Sequence, residues 1–131
     1  QIAFIKPFYS NIRKELTKMP KPYFYDLGLR NLFLNNFDFI DKRADKGAYL
    51  ENIIFREFLR TAGDINKIKF WRTQDKKEID FIVDNKAFEA KFSQRQANKG
   101  KYKQFQKFYP DIKFNFLIYS KVLEKFYHWQ L

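Results

Sequence analysis

From Gly47 onward the apolar residues change period several times, and each change marks an element. Leu50, Ile54, Phe55, Phe58 and Leu59 share one side of a 3.6-residue wheel, which predicts a helix over about 46–61 ended by Gly63. Shorter runs then predict strands over about 67–73, 78–83 and 86–92, a helix over about 99–109 stopped by Pro110, and a strand over about 112–119. The order is αβββαβ, an α/β core with helices flanking a central mixed sheet. Ile112 to Tyr119 is nearly continuous in apolar and aromatic residues, as expected of a central strand covered on both faces. Glu124 to Leu131 reads as a further edge strand. Residues 1–45 read as an N-terminal extension of the same domain, with aromatic strands near Ile2–Ile5 and Tyr23–Tyr25 and a short helix over Leu29–Asn35. Pro20 and Pro22 mark a break before Tyr23, and Asp38 to Lys46 is a polar connector leading to the 46–131 core.

The second and third strands of the core alternate in polarity around Asp84-Asn85, a short-hairpin signal. A two-residue turn there places Val83 opposite Lys86, Asp80 opposite Glu89 and Glu78 opposite Lys91. Ile79, Phe81, Val83, Phe88, Ala90 and Phe92 then point to the other face and supply a core. Like charges directly opposite each other destabilise a sheet, so Asp80 and Glu89 need a cation nearby. Lys91 and neighbouring lysines on an ordinary solvated face are one answer.

Glu51 falls inside the apolar stripe of the first core helix, between Phe55 and Phe58, whereas Asn52, Arg56 and Arg60 take the polar side. An ionised carboxylate cannot stay there without a partner. Either it reaches a core-edge lysine, an arginine or solvent, or it faces the acidic hairpin. On the strand before that hairpin, Trp71 is expected to pack and Arg72 to face the polar side.

Composition narrows the chemistry. Lys and Arg outnumber Asp and Glu by 26 to 15 in 131 residues, a formal charge of +11 that attracts polyanions, nucleic acid ahead of an anionic membrane. Seventeen Phe, eight Tyr and two Trp provide large core side chains. The chain has no cysteine, which removes disulfides, thiolate metal sites and cysteine nucleophiles, and agrees with a reducing, cytoplasmic setting. His128 is its one histidine, so catalysis by His triads and multi-His metal sites are poorly supported. Chemistry has to rest on carboxylates and lysines. No run approaches a membrane span or a signal peptide. The opening Gln1-Ile2-Ala3-Phe4-Ile5 reads as the interior of a structured region, so a longer protein is expected. Four scattered glycines form no phosphate-cradling loop, and any nucleotide-hydrolysing part would lie upstream.

The helix acid Glu51, Ile79-Asp80 on one strand, Glu89-Ala90-Lys91 on the next and the αβββαβ order together resemble the PD-(D/E)xK nuclease superfamily over about residues 46–119. Ile79 stands where the motif's name has proline. More narrowly, Lys21-Pro-Tyr-Phe-Tyr-Asp-Leu-Gly-Leu29, Tyr49-Leu-Glu-Asn52, Phe70-Trp-Arg-Thr73 and Glu78-Ile-Asp-Phe81 look like the C-terminal domain of unknown function found in bacterial and archaeal AAA-type ATPases. The resemblance implies a restriction-endonuclease-like core and an ATPase domain upstream in the same chain. It implies Mg²⁺ (or Mn²⁺) held by Asp80, Glu89 and Glu51, with Lys91 orienting water or the scissile phosphate. Glu78 would pair with Lys91, and Gln104 could join from the second helix. Phosphate contacts would come from Arg95, Lys99, Lys101, Lys103 and Lys107, with Arg72, Lys76 and Lys77 at the hairpin mouth, although helix lysines are more often simply solvated. Tyr102, Phe105, Phe108 and Tyr109 at helical spacing are read as core.

Two functions follow as expectations. One is a metal-dependent nuclease acting on DNA. The other is a non-catalytic module that uses the same fold to bind nucleic acid, a protein partner or its own ATPase half.

Overall fold

Strand β1 (Ile2–Pro7) is paired with β2 (Lys21–Phe24) antiparallel, and β2 leads into helix α1 (Leu27–Leu34). The computed structural model describes residues 1–8, 19–73 and 75–121. Helix α2 (Lys46–Ala62) is followed by β3 (Ile68–Arg72), β4 (Glu78–Val83), β5 (Lys86–Lys91), α3 (Lys103–Phe108) and β6 (Lys113–Ile118), with short 3₁₀ turns between. The strands form one mixed sheet in the order β2-β1-β3-β4-β5-β6, with β1 parallel to β3 and β5 parallel to β6. The first expected helix starts at Leu27, because the Asp26 carboxylate accepts the Leu29 N–H and caps it. The last one is split: Lys99–Tyr102 is 3₁₀, and only Lys103–Phe108 is α-helical.

Each face of the sheet carries its own core. Leu50, Ile54, Phe55 and Phe58 of α2 pack with Phe81 and Phe88 on one face. Phe105 of α3 packs with Trp71, Ile79, Ile82 and Ala87 on the other. Gly63 ends α2 in the left-handed region at φ 73°, returning its N–H to the Leu59 carbonyl. No helix among the described residues is long and apolar enough to cross a membrane.

Several expectations are corrected. Among the described residues β6 closes one edge of the sheet instead of lying centrally. The proposed strand over Glu124–Leu131 lies outside the described residues. Asn52 is buried, not on the polar side of α2: its amide donates to the Phe24 carbonyl at 2.8 Å and its oxygen accepts the Phe24 N–H at 3.0 Å, tying α2 to β2. The connector before α2 is organised by Arg43, whose side chain is fully buried against Asp45 (2.8 Å) and stacked over the Tyr49 ring.

The largest departure is in the hairpin. Asp84 and Asn85 do form a two-residue turn, at φ 54° and 59°, and Val83 faces Lys86. The ladder, however, runs only to Phe81↔Phe88. Toward β3 the pairs Lys69↔Ile82 and Trp71↔Ile79 leave Phe70 facing both Asp80 and Phe81, a bulge on β4. The extra residue reverses the phase beyond it, so Ile79 joins the α3-side core instead of standing with Phe81 and Val83. Glu78 consequently does not pair with Lys91; it sits across from Arg72 on β3.

Candidate metal and phosphate site

The bulge opens β4 from β5 where the acids stand, and the side chains take over the missing ladder. Asp80 Oδ2 accepts the Ala90 N–H at 2.8 Å, and Glu89 Oε1 accepts the Asp80 N–H at 3.1 Å. Each strand's free donor is thus satisfied by the other strand's carboxylate, which is how two acids come to be buried side by side without an orphan amide. The other Glu89 oxygen, Oε2, receives the Tyr102 hydroxyl and lies 3.9 Å from Lys91 Nζ. Burial, then the hydrogen bond and charge of Glu89, push the Asp80 carboxyl well above the usual range.

Glu51 approaches from α2. Its Oε1 accepts the Tyr23 hydroxyl and pairs with Lys21 Nζ, both on β2. Burial and the Asp80 charge raise the Glu51 carboxyl to about 7, against the pull of Lys21 and Tyr23. Tyr23 is buried, stacked on Phe55 at 4.8 Å between ring centres, and burial and Glu51 hold its hydroxyl firmly protonated. Lys21 also pairs with Glu78 and lies 3.5 Å from Asp80 Oδ1. Burial favours a neutral lysine, but Glu51, Asp80 and Glu78 outweigh it and keep the ammonium charged. Glu78 is held below its usual value: burial opposes this, and Lys21 and Arg72 (2.8 Å) overcome it.

Among the described residues Glu51, Glu78 and Asp80 each offer one oxygen within 4.8 Å of the others. The structure therefore brings Glu51 and Asp80 together as the resemblance implies, and adds Glu78 to them. Glu89 stands beside Asp80 but is engaged by Tyr102. Lys91 lines a neighbouring groove of about 590 Å³ with Lys46 and Arg95. Lys77, Lys103 and Lys107 line a second groove of about 870 Å³, where Lys77 Nζ donates to Gln104 Oε1 at 2.8 Å. Gln104 thus serves Lys77 in this groove. Lys76 and Lys99 are exposed, Arg72 is taken up by Glu78, and the side chain of Lys101 is not among those described.

Lys21, Tyr23 and Tyr102 were not singled out as site residues from the sequence. Lys21 and Tyr23 are two residues apart on a strand and so share a face. That spacing was legible; its direction toward Glu51 depends on how β2 pairs with β1.

The family model Domain of unknown function (DUF4143) matches residues 46–129. No curated protein and no solved structure matches the chain.

Proposed function

The chain belongs to the DUF4143 family, and from the acids it gathers between α2 and β4 we propose that it is a metal-dependent phosphodiesterase domain acting on nucleic acid, DNA first. In this reading the core is restriction-endonuclease-like and forms the C-terminal part of an ATPase. The observation that carries the reading is the meeting of Glu51, Glu78 and Asp80 within 4.8 Å, from two elements and largely out of water. An all-carboxylate donor set suits a hard cation such as Mg²⁺ or Mn²⁺, whose ligands stand roughly 3–4 Å apart around one ion. Glu51, Glu78 and Asp80 would hold it, with Glu89 available once released by Tyr102. When bound, such an ion supplies charge neutralisation at phosphate and a more acidic water.

The remaining work falls to the chain's own side chains. Tyr23 and Asn52 fix α2 against β2 and so aim Glu51 at the β4 acids. Lys91, Lys46 and Arg95 present cations to a phosphate backbone along their groove, and the Lys77–Lys107 groove extends that basic surface. Exposed Phe33, Phe37 and Phe39, on and after α1, support an attached protein surface, which the ATPase part would cover.

The test is cleavage of labelled single- and double-stranded DNA by the full-length protein with Mn²⁺, against Asp80→Asn. Loss of at least a hundredfold in rate in the variant is expected; equal rates in both proteins would refute catalysis at this site. A second reading has its own support, because Lys21 already neutralises the acids and Tyr102 engages Glu89: a module that binds nucleic acid without cutting it. Salt-sensitive DNA binding with no metal affinity would favour that module.

A further inference from the structure

Lys21 is not an ordinary surface cation. Its side chain is 12 % exposed and its ammonium contacts acids on two other elements: Glu51 of α2, and Glu78 and Asp80 of β4. A typical surface pair joins two wet side chains and contributes little. This lysine has exchanged water for three carboxylates, and those are the three that would hold a divalent ion. Arg72, by contrast, approaches Glu78 from the neighbouring strand, and Lys91 reaches Glu89.

Its place in the fold lets it leave. Lys21 opens β2, among the described residues the outermost strand on its side of the sheet, at the last pair of the β1 ladder, Ile5↔Lys21. Rotation about the four-carbon stem withdraws the ammonium without breaking a strand pair. Pro22, next in the chain and paired with Phe4, keeps the backbone of this edge strand restricted while the side chain moves.

We propose that Lys21 is a built-in competitor for the divalent cation: its ammonium fills the space among Glu51, Glu78 and Asp80, and metal enters as the side chain swings out. This rests on the reading of those acids as a metal site. Metal affinity is then reduced by the fraction of time Lys21 spends withdrawn. A withdrawn ammonium at the sheet edge is also free to meet a phosphate. A nucleic acid that captures it therefore favours metal loading, and metal favours nucleic-acid binding by the same factor.

The experiment titrates Mn²⁺ calorimetrically into the 131-residue chain, Lys21→Met and Arg72→Met. In parallel, acetic anhydride labels Lys21 in the unaltered chain with and without Mn²⁺, read by mass spectrometry. Lys21→Met is expected to bind Mn²⁺ at least tenfold more tightly than the parent. Arg72→Met, which removes a charge without emptying the space among the acids, gains less than threefold. Labelling of Lys21 accelerates at least tenfold at saturating Mn²⁺. A parent too weak to measure beside a binding Lys21→Met is the extreme of the same result. Equal affinities with Lys21 still protected would overturn the competition and leave the metal site standing. Absence of binding in parent and Lys21→Met alike would bring down the metal site and the competition together. Should Lys21→Met fail to fold, the labelling of the unaltered chain decides.

Discussion

Asp45 shows how much one residue does outside the acidic site. Its carboxylate takes Arg43 Nε and Arg30 Nη1, each at 2.8 Å, and so joins α1, the connector and the start of α2. The Arg43 hydrogen bond, followed by the hydrogen bond and charge of Arg30, outweighs burial and holds Asp45 down at about 2. A carboxylate whose folded value is depressed adds stability above its unfolded value, near pH 4, and loses it as pH falls through the folded one. Asp45→Asn is therefore expected to lower stability by about 2 kcal/mol at pH 7, since it leaves the buried Arg43 charge with neutral acceptors such as Asn31 Oδ1 and the Asn36 carbonyl in place of a carboxylate. The gap to the parent should narrow between about pH 4 and pH 2 in urea melts taken across that range; parallel curves would contradict the assignment. Neither arginine's role was visible in the sequence. A polar connector reads the same whether its arginine is solvated or buried, and the Tyr49 ring beneath Arg43 is brought there only by the fold.

At the scale of elements, local signals were sufficient where the determinant was local. Gly63 terminates α2 at φ 73°, with open space where a Cβ would go, so Gly63→Ala pays backbone strain alone. A loss of about 1 kcal/mol is expected in chemical denaturation, with Gly63→Asn losing less; no difference between the two would argue against a conformational origin. The Asp84-Asn85 turn was equally legible, because both residues tolerate the positive φ it needs. The bulge at Asp80 and Phe81 was not. Alternation along Glu78 to Val83 gives one phase, and the break in that phase comes from β3, a separate strand whose register no hairpin pattern contains. The break decides the site: it moves Ile79 to the α3 side and directs Glu78 and Asp80 toward Glu51 and Lys21. Likewise β6 is apolar enough for a central strand, yet the position of a strand in a sheet is set by its partners.

At the scale of the molecule, the described residues form an α/β domain with a mixed six-stranded sheet, basic grooves beside an acidic cluster, and a concentration of exposed apolar rings on and after α1. Phe33 and Phe39 are 72 % and 81 % exposed, so replacing both by Asp should leave the melting temperature within about 2 °C. A large drop in melting temperature would mean that those rings support the fold. The α/β class and the element order were readable from period and spacing, whereas the Glu51–Asp80 meeting came from the family resemblance; a lysine partner for Glu51 was one of the expected alternatives, but its identity as Lys21 was not readable, because Lys21 is distant in sequence and reaches the acids through the β1–β2 pairing. The central claim is that Glu51, Glu78 and Asp80 form a divalent-ion site, and calorimetric titration of Mn²⁺ into the chain and into its Glu51→Gln/Asp80→Asn variant tests it most directly. Binding in the parent that weakens at least tenfold in a variant of unchanged circular dichroism is the predicted result; equal binding in both, or none in a folded parent together with none in a folded Lys21→Met variant, would contradict it.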